Sequence, residues 1–316
     1  MLMFENEITL ESQDFLETYL QGFEYKTSGL SFSSLYMWRE INQISWKKIG
    51  EFVCVAGVSN LEEDKEEHFL FPPLTADGEY DPGALRETLR EAREIFEKNG
   101  EPFTIMLIPF HLVDRIENAV PGQFKFIPDR PNFDYVYKTQ DLIELKGRDY
   151  HGKKNHLNYF LNHFKYEYVT LTSDMAAEAM QFIEAFNKRK NLEDKHEREL
   201  LEMEEEAMED VFKNIEKVGY LAGAILIDGK IEALSIGGYL GKKTVTVHVE
   251  KANTEFRGLY QAINNEFCKH VASHVKLINR EEDMGLPGLR KAKLSYKPVK
   301  LIEKHIAVLK NPEIKF

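Results

Sequence analysis

The sequence predicts an α/β (α+β) protein of two consecutive domains, each a mixed, mostly antiparallel sheet flanked by helices. Three observations carry this. The chain has 316 residues, enough for two ordinary domains. Its second half reads, in order, β-α-α-β-β-β-α-β-α-β. Its first half reads α-α-β-β-β-α-β-α-β, the same succession without the opening strand, with one further short strand at its end. The helices opening near Pro82 and Gly258 hold corresponding places, so the chain reads as two copies of one topology, 1–140 and 141–316. No residue-level repeat accompanies them.

In the second half, 166–172 (YEYVTLT) alternates and is rich in β-formers, which predicts a strand. Asp174 then caps a helix through Lys190, with Met180, Ile183 and Phe186 at helical spacing. A longer helix from about Glu193 to Lys217 carries Leu200, Leu201, Met208, Val211, Phe212 and Ile215 on its core face, and Gly219 ends it. Strands follow at 220–227, 231–239 and 244–250 (TVTVHVE). Asp228-Gly229 suits a tight hairpin between the first two. After the loop 251–257, Gly258 opens a helix with Ile263, Phe267 and Val271 inward. A short strand at 275–278, a polar loop at 279–287, a short helix at 288–296 and a last strand at 299–309 complete the half.

In the first half, helices are predicted at 10–20 and 32–41, then a hairpin at 44–49 and 52–58. A strand at 68–71 ends at Pro72-Pro73. Asp81-Pro82 caps a helix with Leu85, Leu89, Ala92 and Phe96 inward, closed by Asn99-Gly100. A strand at 103–108 and a helix at 111–119 follow, and strands at 124–127 and 133–137 finish the domain.

Composition narrows the function. Hydrophobic residues make up 43% of the chain and charged residues 30%, and no apolar run approaches the roughly 18 residues that span a bilayer. Met1–Leu10 carries Glu5 and Glu7 and has no basic region before an apolar stretch, so it does not read as a signal peptide. Cys54 and Cys268 are far apart, which suits a reducing compartment. A cytoplasmic protein with no integral membrane segment is expected. The net charge of −12 disfavours a simple nucleic-acid or anionic-membrane binder. That charge is uneven. Glu193–Asp210 holds ten acids against Lys195 and Arg198, a solvated helix face. Leu286–Lys310 holds seven bases against Glu303 alone, and Lys146–Lys165 has five bases against Asp149.

The informative loop follows the strand at 244–250 and reads V-E-K-A-N-T-E-F-R-G-L-Y-Q-A-I. It resembles the signature of the GNAT acyltransferase superfamily, in which a strand ends, a loop carries Arg-Gly, and a helix begins. Backbone N–H groups and the dipole at such a helix start hold a pyrophosphate or similar anion. Gly258 lets the backbone approach closely and Arg257 adds charge. Val249, Lys251, Arg257, Gly258, Leu259 and Tyr260 are therefore the predicted binding residues for coenzyme A or acyl-CoA. Tyr260 stands where the signature has a second glycine or alanine. The first half has Pro-Leu-Thr-Ala-Asp-Gly at the matching helix start and lacks Arg-Gly, so it is expected to be a degenerate partner.

Three segments carry a closer resemblance: 145–160 (LKGRDYHGKKNHLNYF), 247–262 (VHVEKANTEFRGLYQA) and 278–298 (INREEDMGLPGLRKAKLSYKP). They are similar to the bacterial family related to the C-terminal domain of phosphatidylglycerol lysyltransferase, itself related to the Fem-type aminoacyltransferases. The resemblance covers nearly the whole chain. It implies transfer of an acyl or aminoacyl group, from acyl-CoA or from aminoacyl-tRNA, to an amine or hydroxyl, and a small-molecule or peptide amine is the expected acceptor.

Such a reaction needs a base for the acceptor amine, a donor for the tetrahedral oxyanion and an acid for the leaving group. Strand alternation places Thr246, His248 and Glu250 on one face of the strand beside the anion loop. Glu250 is the predicted base or acceptor-ammonium binder, with His248 supporting it. The competing reading makes His248 a core histidine and pairs Glu250 with Lys251 or Arg257. Tyr296 is the candidate general acid, by similarity to enzymes with a tyrosine near that position. Arg290 and Lys293, on a common side of a helix, are candidates for binding phosphates of CoA or tRNA, and Lys291 lies beside them. Glu281, Glu282 and Asp283, with Arg280, either bind acceptor charge or form salt bridges. Lys153-Lys154-Asn155-His156 begins a helix whose bases face a cleft. His151, His156 and His163, and Cys268, His270 and His274, lack a full metal-ligand set, and no metal is predicted. The leading expectation is an acyl-CoA-dependent N-acyltransferase. The alternatives are a charged-tRNA-dependent transferase and a non-catalytic ligand-binding member of the same fold.

Overall fold

The computed structural model describes residues 2–62, 65–189, 195–314 and 316. Its first elements are β1 (Asn6–Glu7), α1 (Gln13–Leu20), α2 (Phe32–Trp38), β2 (Ser45–Ile49), β3 (Phe52–Glu62), β4 (Lys65–Leu70), α3 (Pro82–Lys98), β5 (Thr104–Pro109), α4 (Phe110–Ala119) and β6 (Phe124–Pro128). Then come β7 (Asp134–Lys138), α5 (Thr139–Glu144), α6 (His151–His163), β8 (Glu167–Thr170), α7 (Ala176–Arg189), α8 (Lys195–Lys213) and α9 (Ile215–Val218). The last are β9 (Leu221–Ile227), β10 (Lys230–Leu240), β11 (Thr244–Ala252), α10 (Leu259–His270), β12 (Leu277–Asn279), α11 (Pro287–Leu294), β13 (Lys300–Ile302) and β14 (Lys304–Leu309). The chain divides into two compact units. One comprises Met1–Asp134, Glu282–Leu286 and Leu301–Phe316, the other Tyr135–Glu281 and Pro287–Lys300.

The first unit is built on a sheet of order β1-β2-β3-β4-β5-β14-β6, with β4 and β5 its parallel pair. Asp81 caps α3 as its position before Pro82 predicts, accepting the Ala84 N–H at 2.8 Å. Leu85, Leu89, Ala92 and Phe96 form the buried face of α3. The final strand departs from the sequence reading. Residues 299–309 are not one strand of the second sheet: Glu303 interrupts them, and β14 pairs antiparallel with both β5 and β6. Lys304 shows why the exchange is fixed. It is buried, its ammonium lies 2.6 Å from Asp134 and 3.3 Å from Glu282, and the Ser28 N–H and hydroxyl donate to Asp134. A buried cation is tolerated only when so paired, and sliding β14 elsewhere would strand it.

The second unit carries the sheet β13-β7-β12-β11-β10-β9-β8. Here β7, read from sequence as closing the first domain, pairs antiparallel with β12. β11 and β12 are parallel, and β8 through β11 run antiparallel. Asp228 and Gly229 both take positive φ, 50° and 75°, the geometry of the predicted tight hairpin. Asn214 breaks the predicted long helix into α8 and α9, and Gly219 closes α9 in the left-handed conformation. The predicted start of that helix at Glu193, and Lys190 at the end of the preceding one, lie outside the described residues. α10 buries Leu259, Ala262, Ile263 and Phe267. Burying its larger apolar side chains contributes on the order of 1.5–3 kcal/mol each. α6 lies within the basic stretch 146–165.

Candidate functional site

The site develops in the second unit around β11. Ser235 opposes Glu250 and Ile236 opposes Val249, but Gly237 opposes Val247, so His248 is the extra residue of a β-bulge. The bulge interrupts the period-two alternation predicted over 244–250, and the His248 and Glu250 side chains go to different partners. Glu250 accepts hydrogen bonds from Asn264 on α10 at 2.9 Å and from Arg280 Nη2 at 2.7 Å. His248 donates from Nδ1 to Glu281 Oε1 at 2.7 Å and meets the Tyr220 ring edge-on at 6.3 Å.

Arg280, at the end of the loop entry after β12, is the hub. Its guanidinium lies 5.0 Å from the Tyr296 ring and 5.9 Å from the Tyr137 ring. Its Nη1 is buried and has no hydrogen-bond partner. Lys293 donates to the Arg280 carbonyl at 2.6 Å. Tyr137 in turn donates to the Lys293 carbonyl at 2.8 Å, and Tyr150 to the Tyr296 carbonyl at 3.1 Å. From α6, the Lys153 ammonium sits 4.4 Å over the Tyr296 ring. Four separate segments thus deliver one cluster: Glu250 from β11, Gln261 and Asn264 from α10, Lys153 from α6, and Arg280 with Lys293 and Tyr296 from the C-terminal loop and helix.

The electrostatics follow from burial and pairing. Burial opposes the Arg280 charge, but Glu250, with Tyr137, Tyr296 and Cys268, more than offsets it, and the guanidinium titrates above its ordinary value. Burial pushes the Tyr296 phenol well above its ordinary range and Glu250 adds to this, while Arg280 and a hydrogen bond from Gln261 oppose it. The Tyr296 phenol therefore keeps its proton at physiological pH. Lys153 is lowered by burial and by Arg280, with Glu250 opposing.

The predicted cofactor residues are spread over several environments. Val249 and Leu259 are core residues. Lys251 is buried, pairs with Glu204 at 3.0 Å and lies 4.9 Å over Phe186. Burial raises the Tyr260 phenol to about 12, against a hydrogen bond from the Ala252 N–H. Arg257 is exposed and lies 4.5 Å over the Tyr159 ring. Arg290 is half-buried on α11. Gly258 is the N-cap of α10 at φ 91°, with no side-chain cap. A Cβ there would meet the His156 carbonyl oxygen at 2.1 Å. The close approach that demands glycine is therefore to the backbone of α6.

Gln261, Asn264 and Tyr137 were not singled out from sequence, and Arg280 was read only among its acidic neighbours. One signal was present. Asn264, Asn265 and Glu266 are three consecutive polar residues in mid-helix, between Ile263 and Phe267, and all three are buried. Such a run needs partners: Asn264 has Glu250, and Asn265 donates to the carbonyls of Leu142 and Ile143 on α5. Among the described residues, no group of three or more His, Cys, Asp or Glu side chains is placed to hold a metal ion. No helix among them is long and apolar enough to cross a membrane.

Two sheets of this order, each flanked by helices, with a bulged central strand feeding a glycine-capped helix, define a pair of tandem GNAT-like domains, an acyltransferase-like fold. Residues 21–308 match the family described as phosphatidylglycerol lysyltransferase, C-terminal, and the chain belongs to that family. A conserved protein of unknown function from Bacteroides thetaiotaomicron VPI-5482 shares 32% identity over 98% of this chain and 100% of its own, with a TM-score of 0.83. L-PGS from Bacillus licheniformis superposes with a TM-score of 0.64 at 12% identity, over 98% of this chain and 94% of its own. FemX does so with a TM-score of 0.53 at 12% identity, over 96% of each. The last two are similar in fold alone. No curated protein matches this sequence.

Proposed function

We propose that the second unit is an acyltransferase that passes an acyl or aminoacyl group from an activated carrier to an amine-bearing acceptor, with chemistry at the Arg280–Tyr296 cluster. The observation that carries the proposal is the buried Arg280 guanidinium, 5.0 Å from the Tyr296 ring, paired with Glu250 through Nη2 and without a hydrogen-bond partner at Nη1. The acceptor nitrogen attacks the carbonyl carbon and a C–N bond forms. The oxygen that becomes negative takes a hydrogen bond from Arg280 Nη1. The C–O or C–S bond to the carrier then breaks, and Tyr296 gives its proton to the departing atom. The proton lost by the amine restores the phenol. Glu250 holds Arg280 in place in this scheme, His248 with Glu281 is the candidate base, and Lys293 positions the Arg280 loop through its carbonyl. Among the predicted donor-binding residues, Arg257 and the start of α10 at Gly258 keep that role.

Two donors have specific support. Membership of a lysyltransferase family favours an aminoacyl ester on tRNA. The net charge of −12 favours acyl-CoA, because RNA binding draws heavily on phosphate contacts. A cytoplasmic setting suits both. The test offers acetyl-CoA and lysyl-tRNA separately, with lysine, a lysyl peptide and phosphatidylglycerol vesicles as acceptors, and follows release of free carrier. Tyr296→Phe is expected to slow transfer by roughly 10²–10⁴-fold with little change in KM. Absence of transfer from both donors, or full activity in Tyr296→Phe, overturns the proposal.

A further inference from the structure

We propose that the exposed Arg257–Tyr159–His163 stack on the second unit is a platform for an adenosine nucleotide, an inference that rests on the transferase reading and names the part of the carrier held away from the chemistry. The shared chemistry is an adenine ring with ribose phosphate, present both in coenzyme A and at the 3′ end of tRNA.

Arg257 and His163 both contact the Tyr159 ring. The His163 ring stacks on Tyr159 with centroids 4.0 Å apart and planes 14° from parallel. Its Nδ1 donates to the Tyr159 carbonyl at 2.8 Å, which fixes its orientation one helical turn along α6. The Arg257 guanidinium lies 4.5 Å over the same tyrosine ring. Arg257 and His163 are both exposed. Behind them, Phe164 meets Tyr159 at 6.5 Å and Phe256 at 5.3 Å, an apolar footing for the stack. Planar cationic and aromatic faces of this kind take nucleobases by stacking, a contact tolerant of sequence.

Charge and polarity point to the same ligand. Residues 150–166 contain three lysines and three histidines and no acid, in a chain of net charge −12. Asn155, Asn158 and Asn162 are exposed along the same helix, supplying amides that read the edge of a base. The platform is also continuous with the chemistry. The same helix carries Lys153 over the Tyr296 ring, and its backbone meets Gly258, one residue from Arg257. A carrier stacked on this face extends along α6 toward Tyr296.

The test measures binding to the full chain by calorimetry at two salt concentrations, the probes being compared at the same salt. The probes are adenosine 3′,5′-bisphosphate, coenzyme A and a 12-nucleotide RNA ending in CCA. The Arg257→Ala/His163→Ala variant alters exposed side chains and is expected to weaken the preferred probe at least about tenfold. Lys154→Glu is expected to weaken it too, through charge. Equal binding of bisphosphate and coenzyme A, with RNA no tighter, assigns the platform to coenzyme A. Tighter, salt-sensitive RNA binding assigns it to the tRNA end. The platform is overturned if none of the probes binds, or if parent and double variant bind alike. Loss of transfer in Tyr296→Phe together with that last result removes the platform and keeps the transferase. Probe binding lost in the double variant, with full transfer in Tyr296→Phe, does the reverse.

Discussion

Gly258→Ala tests the packing that brings α6 against the start of α10. Two costs add. The residue sits at φ 91°, ψ 0°, and an L-residue in left-handed backbone costs about 1–2 kcal/mol. The new Cβ would also lie 2.1 Å from the His156 oxygen, 2.9 Å from its carbonyl carbon and 3.1 Å from Phe160 Cβ. The first two are backbone atoms that cannot rotate away, so the helices must part. Overpacking of this kind costs about 1–3 kcal/mol, giving a total of about 2–5 kcal/mol. At about 2–4 °C per kcal/mol, the melting temperature should fall by roughly 4–20 °C. Gly258→Asn separates the terms, since asparagine tolerates positive φ but carries the same Cβ, and it should recover no more than about 1 kcal/mol. Gly152→Ala, on the same helix with nothing within 4 Å of its Cβ, should be neutral or stabilising. Calorimetric melting of the three variants decides the matter. A Gly258→Ala protein melting within about 1 °C of the parent, or full rescue by asparagine, refutes the close approach.

Glu250→Leu leaves the Arg280 charge buried with its carboxylate partner gone, and should cost about 3–5 kcal/mol by urea denaturation, whereas Glu250→Leu/Arg280→Met should recover most of the loss. His111 is held below its ordinary value of 6.5 by burial and then by Lys26, with a hydrogen bond to Glu24 opposing. A base depressed in the folded state binds fewer protons than the unfolded chain, so its contribution is intact above pH 6.5 and drains away as pH falls below it. His305 shifts the same way, mainly by burial. His111→Leu should therefore show a shallower fall of melting temperature below pH 6.5 than the parent, and an unchanged slope would contradict the assignment.

How far the sequence carries the argument depends on the range over which each feature is decided. Hairpins, caps and helix faces are decided locally. Asp228-Gly229, Asp81-Pro82 and the inward stripe of α10 are legible because turn chemistry and 3.6-residue spacing act within a few residues. The exchange of β7 and β14 between the sheets is not legible that way. The alternation of 299–309 satisfies either sheet, and what fixes β14 is Lys304 meeting Asp134 and Glu282, acids 170 and 22 residues distant in sequence. The bulge at His248 escapes for a related reason. It is a mismatch in register with β10, so a period-two reading of β11 alone carries straight through it.

The candidate site divides along the same line. Glu250 is singled out by its place beside the anion loop, Tyr296 by similarity to related enzymes and Lys293 by helical spacing with Arg290, but the sequence says nothing of what each one touches. Arg280 lies in a run of charges, R-E-E-D, and reads from sequence as a partner of those acids, in acceptor binding or in salt bridges. Only the fold reveals that it is enclosed by Tyr137, Tyr296 and Glu250. An arginine enclosed by aromatic rings, paired through one nitrogen and open at the other, is costly to maintain unless the open nitrogen has a use. That asymmetry shifts the weight of the proposal from Glu250, which is occupied on both sides by Arg280 and Asn264, to the unpartnered Nη1 of Arg280.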